Sequence, residues 1–301
     1  MILISNIRHL IANIVFNYLH PLINSFIYVF YKNTILVNSW VEVQYGHLTN
    51  RNWGDDINVY LLEKISKKKV LIMNQSLLHR KSKKDNYICI GSILGLYENS
   101  NSIIWGSGFI DANQQLLCKP KQIHSVRGKY TRERLLMLGY DCPEVYGDPA
   151  LLVSKYYKPN INNPKYRIGF ILHYVDVNNP VINAYVKENK DCIIITLCGY
   201  QKWTDVIDKI CSCEFILSSS LHGLIVSDSY GIPNSWIRLS DKIVGGDFKY
   251  LDYFSSVNRP DNCPNLLESA QAIEILFENR SLYKELCIDY DGILNSCPFV
   301  G

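Results

Sequence analysis

The chain has 301 residues, 48% of them hydrophobic, and a formal net charge of +3. This length and composition exclude a disordered or fibrous protein and leave room for two modest domains with real cores. The small net charge, without the motif of a nucleic-acid binder, argues against a nucleic-acid partner.

The ten cysteines are scattered along the chain. Cys211 and Cys213 form the closest pair, and their spacing is not the C-x-x-C of metal or redox sites. We therefore expect inert thiols in a reducing cytoplasm, with no bound metal.

The first predicted unit is an apolar segment over residues 1–34. Asparagines, histidines and Pro21 interrupt it, and a membrane-spanning helix tolerates such polar groups poorly. The segment also has no clear cleavage site for a signal peptide. Two interpretations stay open: a helix that lies on the inner face of the plasma membrane, or a helix packed on the body of a cytoplasmic protein.

Residues 35–160 alternate between β-rich and helical patterns, and we predict a first Rossmann-like domain there. Helices are expected after Asp55 and after Lys129. A stretch rich in proline and asparagine at 149–164 indicates a linker. The predicted strands are 35–43, 70–73, 87–90, 102–105 and 122–126.

A second alternation over residues 161–262 predicts a second Rossmann-like domain. Helices are expected near 203–211 and after His222, and strands at 167–172, 192–197, 215–218 and 235–239. The remaining residues, 263–301, form a helical tail that we expect to pack back across both domains. The predicted fold class is thus α/β, with two Rossmann-like units that face a cleft.

The junction at 215–233 is the strongest candidate site. A strand ends in Ser218, Ser219 and Ser220, and a helix begins with His222 in its first turn. An anion at this helix end would meet free N–H groups and the positive end of the helix dipole. Histidine at such a position can transfer a proton or bind phosphate. The alternative is that the serines only cap the helix and His222 is structural.

A second junction contains Gly54, which allows close approach of a ligand, and Asp55, a candidate general base toward a sugar hydroxyl. The alternative is that an aspartate caps the helix here. Further candidates follow other predicted strands or glycine turns. They are Arg127 as a bidentate anion binder, Gly91 and Ser92 as a backbone cradle, His173 at a strand end and Lys249 as an anion binder.

Seven short motifs in this order resemble the polysaccharide pyruvyl transferase family over residues 43–258, most closely its exopolysaccharide and capsule members. The motifs are NWGD at 52–55, GSIL at 91–94, WGSG at 105–108, VRG at 126–128, GDPALL at 147–152, HYVD at 173–176 and SSSLHG at 218–223.

The resemblance implies a glycosyltransferase-B-like pair of units and a role in the cell envelope. It implies phosphoenolpyruvate as co-substrate, with no cofactor, and a glycan acceptor that is lipid-linked in many members. It also implies that His222 is the catalytic residue. Some members carry an arginine where this chain has Ser220, so its anion clamp must come from elsewhere: Arg127, Lys249 or His173.

The sequence leaves two rival functions open. The same two-unit cleft would serve a glycosyltransferase that uses a nucleotide sugar, because fold does not fix function. The missing arginine also leaves room for a non-catalytic subunit of a capsule-assembly complex.

Overall fold

The computed structural model describes residues 14–161, 163–260, 263–283 and 286–299. Its centre is two parallel sheets of five strands each. The strands of the first sheet are β1 (Thr34–Val37), β4 (Lys69–Ile72), β5 (Asn86–Ile88), β6 (Ser102–Trp105) and β7 (Gln122–Ser125). Those of the second are β8 (Tyr166–Ile171), β9 (Cys192–Ile194), β10 (Cys213–Ser218), β11 (Asn234–Arg238) and β12 (Asn265–Leu266). The first sheet has the order β4-β1-β5-β6-β7 and the second the order β12-β11-β10-β8-β9.

The helices lie mostly between these strands. They are α1 (His20–Val29), α2 (Trp53–Ser66), α3 (Lys129–Met137), α4 (Val153–Tyr156), α5 (Pro180–Glu188), α6 (Trp203–Cys211), α7 (Leu221–Ser229), α8 (Phe248–Ser256), α9 (Ala270–Glu278) and α10 (Tyr290–Asn295). A π-helical turn (Val15–Leu19) precedes α1, and 3-10 turns occupy Met73–Gln75, His79–Lys81, Pro149–Leu152 and Asn279–Leu282.

Both sheets repeat one topology. When the strands of each sheet are numbered in chain order, both read 2-1-3-4-5, a doubly wound order. In such sheets the ligand crevice lies beyond the carboxyl ends of the strands, where the order reverses. That position is between β1 and β5 in the first sheet and between β8 and β10 in the second. The predicted α/β class with parallel sheets is therefore confirmed.

The strand predictions hold with two corrections. The strand expected at 35–43 ends at Val37, because Asn38 turns to hydrogen-bond β5 through its backbone N–H and its side chain. Val43 instead belongs to a small hairpin, β2 (Val43–Gln44) with β3 (His47–Leu48). The strand expected at 192–197 ends at Ile194.

The two units share a hydrophobic core rather than meeting only at an open cleft. One cluster of buried side chains includes Ile35 and Ile57 of the first unit and Ile216 and Leu224 of the second. The Trp53 indole, at the start of α2, donates to the Trp203 carbonyl oxygen at 2.6 Å. These contacts fix the start of α2 against the second unit.

The C-terminal tail joins both units, as expected. The Trp105 indole of the first unit donates to the carbonyl oxygen of Ile293 in α10 at 3.1 Å. In the second unit, the Ser229 carbonyl oxygen accepts from the Tyr290 hydroxyl at 3.3 Å. The boundaries 1–34, 35–160, 161–262 and 263–301 stay a prediction.

The N-terminal segment forms a short helix on the first unit. Its first thirteen residues lie outside the described part of the chain, and α1 packs on the β2-β3 hairpin. Within the described ranges, the structure contains no helix with the length and apolar character needed to cross a bilayer.

Candidate active site between the two units

The serine junction is built differently from a simple serine cap. Ser220 is the N-cap residue of α7, yet its side chain makes no capping hydrogen bond. Ser218 Oγ donates to the carbonyl oxygens of Ile171 and Ser220, and Ser219 Oγ accepts from the His173 N–H at 2.9 Å. These bonds hold the ends of β8 and β10 together. Within the described residues, the N–H groups of Leu221 and His222 have no acceptor, so the helix end is open to an anion.

His222 reaches across to the first unit. A Cβ atom at Gly54 would lie 2.2 Å from His222 Nδ1, so glycine is needed for the backbone to approach the ring. His222 Nε2 is buried and has no partner in the described structure. Burial, and then the charges of Lys249 and Arg127, lower the pKa of His222 to about 3. The imidazole is therefore neutral near pH 7 and can accept a proton.

An asparagine, not an aspartate, caps α2. Asn52 Oδ1 accepts from the Gly54 N–H at 3.2 Å, and the aspartates occupy the first turn. The interpretation of an aspartate cap is wrong because the residue before the turn takes that role. This leaves the Asp55 carboxyl free to face the site, with Asn52 Nδ2 donating to Asp55 Oδ2 at 2.5 Å.

Asp55 is buried among charges. Burial, and then neighbouring Asp56, raise the pKa of Asp55 to about 7, although the charge of Lys249 acts in the other direction. Asp55 Oδ1 lies 3.6 Å from the position of a Cβ at Gly91, whose φ of +110° favours glycine. Asp55 is thus present in both protonation states near neutral pH.

Lys249, at the start of α8, is the cation of the site. The residue is 8% exposed, and its ammonium lies 5.3 Å from the centroid of the Tyr250 ring. Within the described residues this ammonium has no hydrogen-bond or ion-pair partner. Burial, and then the charge of Arg127, lower the pKa of Lys249 to about 8, while Asp55 raises it. A buried ammonium without a paired anion is costly. Lys249 is therefore an open position for an anionic ligand.

Arg127 is already bound by the protein. Its side chain and that of Asp252 are both 0% exposed, and Nε lies 2.9 Å from Asp252 Oδ2. Its guanidinium also donates to the Phe109 carbonyl oxygen at 2.6 Å and to Ser92 Oγ. This pair joins the connection between β7 and α3 of the first unit to α8 of the second. Substrate contact by Arg127 or Ser92 stays a prediction, and the geometry adds a role in holding α8 in place.

His173 and Asp148 complete the site. His173 Nδ1 is buried without a partner in the described structure. Burial, and then Lys249, lower the pKa of His173 to about 4. Asp148 is fully buried, with Oδ1 accepting from the Ala150 N–H at 2.9 Å and Oδ2 unpartnered in the same part of the chain. Burial raises the pKa of Asp148 to about 6.

The candidate residues thus converge on one inter-unit region. Electrostatic contacts link Asp55, Arg127, His173, His222 and Lys249. Sequence reasoning missed Asp148 and Asp252. Asp148 has the pattern of an ordinary turn before proline, and nothing in the sequence pairs Asp252 with Arg127. No group of three His, Cys, Asp or Glu side chains in the described ranges is placed to bind a metal ion.

Loss of the buried ion pair between Arg127 and Asp252 is expected to destabilise the fold strongly. Replacing Asp252 with alanine leaves a buried guanidinium uncompensated and removes the acceptor of the Thr131 N–H and hydroxyl. We expect a loss of about 3–5 kcal/mol in the free energy of unfolding, measured by urea denaturation. As control, Asp247→Ala breaks the more exposed pair with Arg238 and should cost about 1 kcal/mol or less. Equal losses would contradict the buried-pair interpretation.

Two known proteins and one family model are similar to this chain. The chain is 30% identical over 207 residues to uncharacterized protein L143 of Acanthamoeba polyphaga mimivirus, covering 68% of this chain and 70% of that protein. It is 27% identical over 235 residues to succinoglycan biosynthesis protein ExoV of Rhizobium meliloti (strain 1021), covering 74% of this chain and 66% of that protein. The family model for polysaccharide pyruvyl transferase matches residues 9–241. Because that match takes in most of the chain, the protein belongs to the polysaccharide pyruvyl transferase family.

Proposed function

We propose that the protein transfers the pyruvyl group of phosphoenolpyruvate to two hydroxyl groups of a glycan and so forms a pyruvate ketal. The observation that carries this proposal is the ammonium of Lys249, which has no hydrogen-bond or ion-pair partner among the described residues, near neutral His222 and protonatable Asp55. Phosphoenolpyruvate bears a phosphate and a carboxylate, and both need cationic or N–H partners. The relative ExoV is named as a succinoglycan biosynthesis protein, which supports a polysaccharide as acceptor. We propose that this acceptor is a lipid-linked precursor of the exopolysaccharide or capsule class.

The donor is proposed to bind mainly to the second unit. Lys249 and the open N–H groups at the start of α7 would hold its anionic groups, and His173 borders the same region. Lys249 would thereby supply the charge that an arginine at position 220 gives in some family members. The acceptor would enter from the first unit past Gly54 and Asp55, as in a glycosyltransferase-B-like pair of units.

The proton balance assigns roles to two residues. Protonated Asp55 gives a proton to the methylene carbon of the donor, and the adjacent carbon becomes electrophilic. One sugar hydroxyl attacks this carbon and loses its proton to neutral His222. Phosphate then leaves, and the second hydroxyl closes the ketal. The two protons lost by the hydroxyls reprotonate Asp55 and accompany the phosphate, so the scheme uses no metal or cofactor.

Binding calorimetry tests the donor. We expect phosphoenolpyruvate to bind the protein in the absence of acceptor and Lys249→Met to weaken this binding. Uridine diphosphate is the matched comparison, because a nucleotide-sugar glycosyltransferase would bind it. Tight binding of uridine diphosphate with no binding of phosphoenolpyruvate would overturn the proposal in favour of that rival.

The raised pKa of Asp55 predicts how pyruvyl transfer depends on pH. If its protonated form donates the proton, kcat should fall as the pH rises through about 7, and Asp55→Asn should lower kcat by about a hundredfold or more. The folded-state pKa lies above the unfolded value, so the contribution of Asp55 to stability is lost as pH rises toward 7. The stability of Asp55→Asn relative to wild type should therefore grow as the pH rises from about 4 to about 7 and stay constant above that. An inactive variant without that gain would indicate misfolding instead.

A further inference from the structure

The N-terminal helix α1 turns its polar side chains toward the protein. Asn24 Nδ2 donates to the Val43 carbonyl oxygen at 2.9 Å, and Asn24 Oδ1 accepts from the Gly46 N–H at 2.9 Å. Ser25 Oγ lies 2.9 Å from Ser76 Oγ. Both side chains are fully buried. The polar face of the helix is thus used to attach it to the first unit.

The opposite face of the helix is apolar and open. Its side chains follow at intervals of three or four residues, so they form one stripe. The relative exposures are 43% for Leu19, 41% for Leu22, 63% for Phe26, 65% for Val29 and 83% for Phe30. An ordinary surface helix has the reverse arrangement, and a continuous exposed apolar surface of this kind indicates an interaction site.

A basic rim flanks this stripe. Leu77 N–H donates to the Pro21 carbonyl oxygen at 3.2 Å, which places the segment that follows, with Arg80 and the lysines at 81, 83 and 84, beside the helix. At the other end, the Lys69 N–H donates to the Asn33 carbonyl oxygen at 3.0 Å and brings Lys67 and Lys68 next to Lys32. The Lys69 ammonium itself is paired with Glu63 at 2.8 Å. Residues 14–34 and 67–84 contain no Asp or Glu.

We propose that this apolar stripe and its basic rim dock the protein on an anionic lipid bilayer, with α1 lying in the plane of the interface. Over its described residues the helix is too short to span a bilayer, but an apolar face with flanking cations fits the boundary between headgroups and acyl chains. A second copy of the chain fits the surface less well, because a two-fold contact through the stripe would bring the like-charged rims together. The site chemistry proposed above is not needed for this inference.

Vesicle co-sedimentation of the full chain tests the surface. We expect binding to vesicles of phosphatidylcholine with phosphatidylglycerol, weaker binding to phosphatidylcholine alone, and weakening of the former by salt. The variant Phe26→Ser/Val29→Ser/Phe30→Ser should reduce partitioning by about tenfold or more, since each apolar side chain contributes. The control variant Leu117→Ser/Met137→Ser changes side chains that are equally exposed on other elements and should bind as wild type does.

A charge variant tests the rim separately. Lys81→Glu/Lys83→Glu/Lys84→Glu should lose the preference for phosphatidylglycerol, whereas Lys187→Glu/Lys190→Glu on the second unit should keep it. Absent binding of wild type to the anionic vesicles would overturn the proposal, as would unchanged binding of the triple serine variant with its fold intact by circular dichroism. A dimer in sedimentation velocity that this variant dissociates would instead identify a second copy as the occupant. These measurements use no substrate, so their failure is distinct from failure of the pyruvyl transfer proposal.

Discussion

Replacement of His222 by alanine is expected to lower kcat for pyruvyl transfer by about 10²–10⁴-fold, the usual contribution of a positioned proton-transfer group. Nε2 of His222 is buried without a partner in the described structure, and the low pKa of the ring keeps it in the neutral form that a general base requires. The change also removes the ring that rests on Gly54. Steady-state kinetics with phosphoenolpyruvate and an acceptor glycan would measure the loss.

The matched control is His124→Ala. His124 lies on β7, where Nδ1 hydrogen-bonds with the Ser296 carbonyl oxygen, and it is not among the residues of the site. This variant should keep kcat within a few-fold of wild type. If His222→Ala retains full kcat while folded by circular dichroism, the catalytic assignment of His222 is wrong.

Replacement of Lys249 by methionine should raise KM for phosphoenolpyruvate by roughly thirty- to a thousandfold, equivalent to a loss of about 2–4 kcal/mol for a charged hydrogen-bonded contact. The residue is 8% exposed, and its ammonium has no ion-pair partner among the described residues. Lys249→Arg keeps the charge and should restore part of the binding. Affinity should also fall as the pH rises through about 8, where Lys249 loses its proton.

The same variant should stabilise the empty protein. The pKa of Lys249 in the folded state, about 8, lies below its ordinary value of 10.5, so below pH 8 the charged form opposes folding. Lys249→Met should raise the free energy of unfolding at pH 7 by about 1–3 kcal/mol, measured by urea denaturation. A variant that loses both affinity and stability would indicate a structural role for Lys249 instead of a ligand-binding one.

Much of the fold follows from local patterns. The apolar runs of β6 and β10 and the stop at Gly231 and Pro233 after α7 indicate strands and helix at their observed places, because strands buried on both faces are apolar throughout. The hairpin at Val43 and the two-residue strand β12 are too short to leave a pattern. The shared core of the two units depends on contacts between distant residues, which periodicity does not report.

The sequence singled out the residues that the structure brings together between the two units. It did not show which of their charges are paired. Gly54, Asp55, His173, His222 and Lys249 all follow strands or begin helices, and the topology brings such positions together. Whether a charge is paired depends on residues far away in sequence. Arg127 reaches Asp252 of α8. Lys249, three residues before Asp252, contacts only the ring of Tyr250 and has no ion-pair partner among the described residues.

We propose that this inter-unit site makes a pyruvate ketal. The most direct measurement is incubation of the protein with phosphoenolpyruvate and candidate lipid-linked oligosaccharides, followed for phosphate release and for the mass of the glycan. We predict equimolar phosphate release and a glycan mass gain of one pyruvate ketal, both lost in His222→Ala. Phosphate release without a mass gain would show hydrolysis instead of transfer and would contradict the claim.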